Sequence, residues 1–145
     1  MVVRFSLRRL EFFCWATQGR RVGSSTPLRV AFVDDDDDLR AMVALSLRLQ
    51  GCEPLGCCSA EEALRYLPRF HPDVILLDFM MPGMNGLQTL KALAARMDLS
   101  DTKVVITSAA QLPEQRCLDQ GACAVLPKPF DALQLGDYLA GLCGR

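Results

Sequence analysis

Short, continuously apolar stretches recur along this chain, and each is followed directly by an acidic or hydroxyl residue. The clearest apolar stretches are 30–33, 74–77 and 104–106, which lead into Asp34, Asp78 and Thr107. A strand that is apolar at consecutive positions must be covered on both faces, and this is the condition of strands in a parallel sheet between helices. The chain therefore has the pattern of an α/β protein.

Segments with helical spacing of apolar residues alternate with these strands. The first has Leu39, Met42, Val43 and Leu47, and Gly51 is a natural stop. The predicted order is strand 29–33, helix 39–50, strand 52–58, helix 59–66, strand 74–77, a helix over 87–94, strand 104–106, helix 113–120, strand 122–126 and a helix over 131–142. Five strands joined by right-handed helical crossovers predict a doubly wound, open parallel sheet with helices on both faces.

Local signals refine three of these elements. Pro54 cannot donate to a neighbouring strand, so the strand over 52–58 is expected near an edge of the sheet. Ser59 and Glu62 fit a capping box at the start of the next helix, which is expected to stop near Pro68. Asp131 is expected to cap the final helix.

Polar residues gather where the predicted strands end. The first strand ends in the run Asp34–Asp38, the third ends in Asp78, the fourth ends in Thr107 and Ser108, and Lys128 follows the fifth. In open parallel sheets the functional site lies beyond the carboxyl ends of the strands. Carboxylates, a hydroxyl and an ammonium group are therefore expected to converge at one edge.

This combination of groups has a chemical logic. Neighbouring carboxylates repel one another, and a hard dication such as Mg2+ relieves the repulsion while leaving positions open for phosphate oxygens. A carboxylate can also attack phosphorus and form an aspartyl phosphate. The three phosphoryl oxygens can then be stabilised by the metal, by an ammonium group, and by a hydroxyl or backbone N–H groups.

Five motifs in order resemble the receiver domain of bacterial response regulators. They are Val33-Asp34-Asp35-Asp36, Leu77-Asp78, Met81-Pro82-Gly83-Met84-Asn85-Gly86, Ile106-Thr107-Ser108-Ala109 and Lys128-Pro129-Phe130. The resemblance covers about residues 28–143. It implies a flavodoxin-like strand order 2-1-3-4-5 and a cis peptide bond between Lys128 and Pro129.

The resemblance also implies roles for individual residues. Asp34 and Asp35 match the acidic pair that holds Mg2+, together with Asp78 and the backbone carbonyl of Met80. Asp78 matches the phosphoacceptor, and Lys128 matches the lysine that contacts the phosphoryl group. Thr107 matches the switch hydroxyl, although Ser108 is an alternative at the neighbouring position.

Two positions depart from the family pattern. Asn85 stands where aspartate is usual and is expected to serve the turn. Val125 stands three residues before Lys128, where the family commonly has tyrosine or phenylalanine. In the family that aromatic residue moves inward when the hydroxyl engages phosphate. Because Val125 is not aromatic, any switch in this chain is expected to use the loop after Thr107 and Ser108 instead.

The function implied by the resemblance is that of a stand-alone response regulator in a two-component phosphorelay. A histidine kinase or phosphotransfer protein would supply the phosphoryl group, and an unknown downstream protein would read the result. Because the chain ends at Arg145, just after the last predicted helix, no output domain is expected. Two alternatives are a pseudo-receiver that binds a partner without phosphate chemistry, and a small phosphatase of the haloacid-dehalogenase type built on Asp34 and Asp36.

Composition sets the remaining expectations. The 145 residues suit one domain, and the net charge of −1 gives no reason to expect a nucleic-acid partner. No transmembrane segment is evident, and seven cysteines without metal-ligand spacing suit a reducing cytoplasm. Residues 28–145 are assigned to the receiver domain. Residues 1–27 are expected to form a loosely ordered basic extension, with five arginines among Phe5, Phe12, Phe13 and Trp15.

Overall fold

A computed structural model describes residues 26–145, so most of the predicted extension lies outside the described residues. The strands are β1 (Arg29–Val33), β2 (Glu53–Cys57), β3 (Val74–Asp78), β4 (Lys103–Ser108) and β5 (Ala124–Pro127). The helices are α1 (Asp37–Leu49), α2 (Ala60–Phe70), α3 (Gly86–Ala94), α4 (Glu114–Asp119) and α5 (Ala132–Leu142). Strands and helices alternate throughout, as the pattern of apolar residues predicts.

The five strands form one parallel sheet in the order β2-β1-β3-β4-β5. This is the flavodoxin-like order 2-1-3-4-5, and the prediction of a doubly wound sheet is confirmed. The strand that contains Pro54 lies at one edge, as expected. The chain reverses its direction of winding between β1 and β3, and such a switch point creates a crevice at the carboxyl ends of the strands.

Two apolar cores cover the two faces of the sheet. Alternate residues of the fully buried central strand β3 enter different cores, since successive side chains of a strand point to opposite faces. Ile75 and Leu77 pack with the core that α2, α3 and α4 complete. Val74 and Leu76 pack with the core that α1 and α5 complete. The sheet therefore holds the ends of β1, β3 and β4 in a fixed arrangement.

Several predicted boundaries were wrong by a few residues. The helix expected to stop near Pro68 continues to Phe70, because Leu67 is buried and Phe70 packs against the same core. It then ends at His71, whose backbone N–H donates to the Leu67 carbonyl. The packing of Leu67 and Phe70 therefore outweighs the loss of the backbone hydrogen bond that Pro68 cannot donate.

The start of α2 also differs in detail from a capping box. The Ser59 hydroxyl accepts from the Glu62 N–H at 3.2 Å, as predicted. The Glu62 carboxylate, however, accepts from the N–H of Cys58 at 2.7 Å and not from that of Ser59. The last helix is capped by Asp131, whose side chain accepts from the Leu133 N–H.

Every cysteine within residues 26–145 is a free thiol, while Cys14 lies outside this range. Cys57 and Cys117 are buried, and burial raises the pKa of the Cys57 thiol to about 12. A thiol with a raised pKa forms little of the reactive thiolate at neutral pH. The buried cysteines therefore serve packing, as their apolar neighbours in the sequence indicate.

One long-range contact joins α1 to α5 through the side chain of Gln50. Its Nε2 donates to the Ala132 carbonyl at 2.8 Å, and its Oε1 accepts from the Gly136 N–H at 2.7 Å. These are the two backbone groups that an i to i−4 hydrogen bond of α5 pairs. A Cβ atom at position 136 would lie 2.6 Å from Gln50 Oε1 and 3.0 Å from Gln50 Cβ, so a larger residue there would displace Gln50 from these two hydrogen bonds.

Replacing Gly136 with alanine is therefore expected to destabilise the protein by about 1–3 kcal/mol, although alanine is the better helix former. Urea unfolding measures this difference. In a Gln50→Ala background, the change Gly136→Ala is expected to lower the free energy of unfolding by less than it does in the parent chain. An increase in stability for Gly136→Ala alone would contradict the contact.

Candidate functional site

The ends of three strands bring the predicted site residues to one edge of the sheet. Asp78, the last residue of β3, stands opposite Thr107 of β4 in the strand register. Asp34 directly follows β1, and its N–H donates to the Cys57 carbonyl of β2 at 3.1 Å. The Lys128 N–H donates to the Ser108 carbonyl at 2.8 Å, which fixes the loop after β5 beside β4.

Three carboxylates form a cluster at this edge. Asp34, Asp35 and Asp78 each offer an oxygen atom, and these atoms all lie within 4.8 Å of one another. Asp34 and Asp78 are buried, whereas Asp35 is exposed. The cluster therefore has one side open to incoming groups. Hard oxygen donors at this spacing are the ligands that Mg2+ prefers.

Lys128 supplies the positive charge within the cluster. Its Nζ lies 2.5 Å from Asp34 Oδ2 and 3.4 Å from Asp78 Oδ1. The peptide bond between Lys128 and Pro129 is cis, as the resemblance predicts. One ammonium group faces three carboxylates, so two negative charges of this cluster lack a counter-charge from Lys128. A divalent cation fits that deficit, and the donor set is compatible with Mg2+.

The electrostatic environment shifts the pKa values of both central groups. Burial raises the pKa of the Asp78 carboxyl, and the negative charge of Asp34 raises it further against the attraction of Lys128. Burial alone would lower the pKa of Lys128, but its hydrogen bond to Asp34 and the charge of Asp78 outweigh burial and raise it. The lysine is therefore held in its charged form beside a carboxylate that is costly to ionise.

The two candidate hydroxyl groups have different surroundings. Both Thr107 and Ser108 are buried. The Ser108 hydroxyl accepts from the Ala110 N–H at 3.1 Å and thereby stabilises the following turn. The Thr107 Oγ1 is buried and makes no hydrogen bond within the described part of the chain. A buried hydroxyl without a partner is costly and is available to a new acceptor.

A test of this difference is the pair of variants Thr107→Val and Ser108→Ala. Valine keeps the shape of threonine and removes the unpaired hydroxyl, so Thr107→Val is expected to stabilise the protein by about 1 kcal/mol. Ser108→Ala removes an acceptor from a paired N–H and is expected to destabilise it by about 1 kcal/mol. Chemical denaturation measures both effects, and equal effects on the two variants would contradict the difference between the hydroxyls.

Met80 and Val125 are the two remaining residues for which a role was predicted. The Met80 N–H is 3.4 Å from Asp78 Oδ1, and its side chain is exposed. The metal role of the Met80 carbonyl stays a prediction. Val125 is partly buried in β5 opposite Ile106 of β4. Its role in a switch also stays a prediction.

Arg40 supports the site and was missed at the sequence level, and the supporting contacts of Gly86 and Asn85 were not predicted. Arg40 donates from Nη1 to the Asp34 carbonyl at 2.7 Å and is also paired with Asp37. A Cβ at Gly86 would lie 2.8 Å from the Asp78 carbonyl oxygen, so only glycine fits beneath the acidic residue. Asn85 forms a capping box with Gln88 at the start of α3. The Asn-x-x-Gln spacing was the available signal for this cap.

Comparison with known proteins agrees with the geometry. The family model of the response regulator receiver domain matches residues 30–140. The chain is 40% identical over 125 residues to the transcriptional regulatory protein PrrA of Mycobacterium leprae, covering 85% of this chain and 52% of the relative. It is 35% identical over 109 residues to the phosphate regulon transcriptional regulatory protein PhoB of Klebsiella pneumoniae, covering 74% of this chain and 48% of the relative.

Solved structures show the same fold. The chemotaxis protein CheY4 of Vibrio cholerae superposes with a TM-score of 0.73 and 29% identity, covering 80% of this chain and 98% of the other. The receiver domain of the Francisella response regulator 1452 superposes with a TM-score of 0.72 and 28% identity, covering 83% and 98%. The chain belongs to the response regulator receiver domain family of two-component systems, and these relatives are bacterial.

The chain spans about half the length of the curated relatives that it matches. Their names describe transcriptional regulation, so the expectation of no nucleic-acid partner stays untested. Among residues 26–145, every helix is too short or too polar to cross a bilayer.

The haloacid-dehalogenase alternative does not agree with the geometry. Its Asp-x-Asp motif requires Asp36 in the site, but the Asp36 side chain caps α1 by accepting from the Leu39 N–H at 3.0 Å. Asp78, which that alternative leaves unused, lies in the carboxylate cluster instead. Family membership as a receiver domain removes the remaining reason for this alternative.

Proposed function

We propose that this chain is a phosphorylation switch that accepts a phosphoryl group on Asp78 and changes its binding surface in response. The observation that carries the proposal is the buried Asp78 carboxylate, which lies beside the Lys128 ammonium and clusters with the carboxylates of Asp34 and Asp35. The exposed side of the cluster at Asp35 gives a phosphodonor access to it. Asp34, Asp35, Asp78 and the Met80 carbonyl would hold Mg2+.

A bound Mg2+ ion would supply positive charge to the phosphoryl oxygens during transfer. The chain's own residues do the rest. An oxygen of the Asp78 carboxylate forms a bond to phosphorus while the bond from phosphorus to the donor atom breaks. The bonding electrons leave with the donor, which is an imidazole nitrogen in a phosphohistidine, and that nitrogen is left as neutral imidazole after proton exchange with water.

Lys128 and Thr107 would receive the charge that arrives with the phosphoryl group. The Lys128 ammonium already lies 3.4 Å from Asp78 Oδ1 and can donate to a phosphoryl oxygen at that position. The Thr107 hydroxyl stands on the neighbouring strand, in register with Asp78, and gains its missing partner when a phosphoryl oxygen accepts from it. Hydrolysis then adds water to phosphorus, releases inorganic phosphate and restores the carboxylate.

The partners follow from this chemistry. A histidine kinase or phosphotransfer protein supplies the phosphoryl group in the cytoplasm, and a downstream protein recognises the phosphorylated surface. The region of α4, β5 and α5 is the proposed output surface because β5 and Lys128 link it to the site. Residues 28–145 form the receiver domain, which acts as a phosphoacceptor and catalyses only its own phosphorylation and dephosphorylation.

Intact-mass spectrometry after incubation with acetyl phosphate tests the proposal directly. One phosphoryl group is expected in the presence of Mg2+ and none in the presence of EDTA. Acetyl phosphate removes the need for the unidentified kinase. A folded protein that stays unmodified under conditions that label another receiver domain would overturn the proposal. That outcome would favour the pseudo-receiver, a binding module without phosphate chemistry.

A further inference from the structure

Arg40, in the first turn of α1, is held largely out of solvent although it carries a full charge. Its side chain is 17% exposed, whereas that of its ion-pair partner Asp37 is 87% exposed. The stem of Arg40 passes over the edge strand β2, because a Cβ atom built at Gly56 would lie 3.7 Å from Arg40 Cδ. A guanidinium group that leaves solvent needs hydrogen-bond acceptors in its place, so the acceptors that it finds indicate what it does.

The guanidinium of Arg40 connects two residues of the acidic run. Its Nη1 donates to the Asp34 carbonyl oxygen at 2.7 Å, and its Nη2 is paired with the Asp37 carboxylate. A guanidinium group is planar and presents its donors in fixed directions, so each of these contacts restrains the other. The counter-charge within the carboxylate cluster is Lys128. Neutralising the cluster therefore does not explain why Arg40 binds a backbone oxygen.

The Asp34 carbonyl belongs to the peptide unit that joins Asp34 to Asp35. A peptide unit is planar, so a hydrogen bond to its oxygen also restrains the direction in which the next residue leaves. The other groups of Asp34 are held from elsewhere. Its N–H donates to the Cys57 carbonyl at 3.1 Å, and its carboxylate accepts from the Asp36 N–H at 2.9 Å and from Lys128 Nζ. The bond to the carbonyl therefore helps to determine where the chain places Asp35.

Asp35 depends on its backbone for its position in the cluster. Its side chain is exposed, and among residues 26–145 its carboxylate makes no hydrogen bond or ion pair. An oxygen of Asp35 nevertheless lies within 4.8 Å of oxygens of Asp34 and Asp78. Carboxylates at this separation repel one another. An unrestrained Asp35 would turn away from the cluster, so the restraint on its backbone has a direct consequence for the site.

We propose that Arg40 is a positioning residue for the metal site. By binding the Asp34 carbonyl, Arg40 keeps the Asp35 carboxylate within reach of a cation that Asp34 and Asp78 share. This inference rests on the proposed function, because it takes Mg2+ as the cation. Arg40 acts through the peptide unit between Asp34 and Asp35, and Asp37 keeps the guanidinium in place.

Positioning and simple electrostatics predict opposite effects of Arg40→Ala on Mg2+ affinity. The variant removes a positive charge beside the backbone of Asp34, and electrostatics alone would then tighten the binding of a dication. Loss of positioning would weaken binding, because Asp35 is no longer held against repulsion. We expect the Kd for Mg2+ to rise about 10-fold, the size of effect that residues supporting metal ligands have. Isothermal titration calorimetry without a phosphodonor measures this Kd.

Two further variants identify the cause of the change. Arg40→Lys keeps the charge but has no planar fork with which to hold two acceptors, so an intermediate Kd is expected. Arg48→Ala is the matched control, because Arg48 is an exposed arginine in the last turn of the same helix. It is expected to leave the Kd unchanged. A Kd for Arg40→Ala that equals or falls below that of the parent would overturn the proposal.

Phosphoryl transfer from acetyl phosphate provides a second readout. Arg40→Ala is expected to raise the Mg2+ concentration for half-maximal rate about 10-fold. The rate at saturating Mg2+ is expected to change by less, because Asp78 and Lys128 are retained. A lower rate at saturating Mg2+ with an unchanged requirement for Mg2+ would contradict the positioning role.

Asp37→Asn and Asp38→Asn test the proposal with Arg40 retained, so the test holds even if Arg40→Ala does not fold. Each variant removes one exposed carboxylate from the first turn of α1, and of the two it is Asp37 that is paired with Arg40. Asp37→Asn is expected to raise the Kd for Mg2+ more than Asp38→Asn does. Equal effects of the two substitutions would overturn the proposal.

The parent chain separates this inference from the proposed function. A parent chain that binds no Mg2+ and is not labelled by acetyl phosphate would overturn both. A parent chain that binds Mg2+ and is labelled, together with an unchanged Kd in Arg40→Ala, would overturn the role of Arg40 alone.

Discussion

Replacing Asp78 with asparagine is expected to abolish the phosphoryl addition that acetyl phosphate and Mg2+ produce in the parent chain. Asparagine keeps the size of the side chain but has no carboxylate oxygen to attack phosphorus. Asp38→Asn is the matched control, because Asp38 is an exposed residue of the first turn of α1 outside the carboxylate cluster. Intact-mass spectrometry compares the three proteins. Full labelling of the Asp78 variant would show that another residue is the phosphoacceptor.

The same variant should be more stable than the parent in metal-free buffer at neutral pH. Burial and the charge of Asp34 raise the pKa of Asp78 above its usual value of 3.8. The native state therefore binds this proton more tightly than the unfolded state, so the contribution of Asp78 to stability is present at low pH and is lost as the pH rises through its native pKa. Asparagine does not ionise, so the variant does not lose this stability as the pH rises.

Thermal unfolding in EDTA as a function of pH tests whether ionisation of Asp78 lowers the stability of the native protein. The melting temperature of Asp78→Asn is expected to exceed that of the parent at pH 7, and the difference should shrink as the pH falls below the native pKa of Asp78. Addition of Mg2+ should raise the melting temperature of the parent more than that of the variant. The opposite order in EDTA would mean that the attraction between Lys128 and Asp78 outweighs burial and repulsion.

The sequence predicted the fold because its strands are continuously apolar. In β3, every residue from Val74 to Leu77 is buried, and the strand ends at the charged Asp78. Such a strand requires cover on both faces, and the helices between strands provide it. Parallel strands then bring their carboxyl ends to one edge, so the grouping of Asp34, Asp78 and Lys128 follows from topology.

Other features depend on contacts between distant parts of the chain and could not be read from local patterns. Gln50 and Gly136 are 86 residues apart, and neither shows a local signal for their contact. The extension of α2 beyond Pro68 depends on the packing of Phe70 against the core. In such cases tertiary packing outweighs the local helix propensity of the sequence.

The choice between Thr107 and Ser108 is a further example. Both follow the apolar stretch of β4, and successive side chains of a strand point to opposite faces. The sequence does not say which of them is left without a partner. The turn after β4 decides this point, because the Ala110 N–H is directed to the Ser108 hydroxyl and leaves Thr107 unpaired among the described residues.

Replacing Lys128 with methionine is expected to slow phosphoryl transfer from acetyl phosphate by about 100-fold or more. Methionine keeps most of the apolar stem and removes the ammonium group that lies 2.5 Å from Asp34 and 3.4 Å from Asp78. The phosphoryl oxygens then lose a donor, and the carboxylates lose their counter-charge. Lys91→Met on α3 is the matched control, since Lys91 is exposed and lies outside the cluster.

The stability of the same variant separates a charge effect from a general loss of structure. Removing one partner of a largely buried ion pair should lower the free energy of unfolding in EDTA by about 2 kcal/mol. If the cause is uncompensated repulsion between Asp34, Asp35 and Asp78, then Mg2+ should recover more stability in Lys128→Met than in the parent, because a cation now has no ammonium group to compete with. If Mg2+ stabilises the two proteins equally and transfer is still slowed, then Lys128 acts on the phosphoryl group and does not relieve repulsion between the carboxylates.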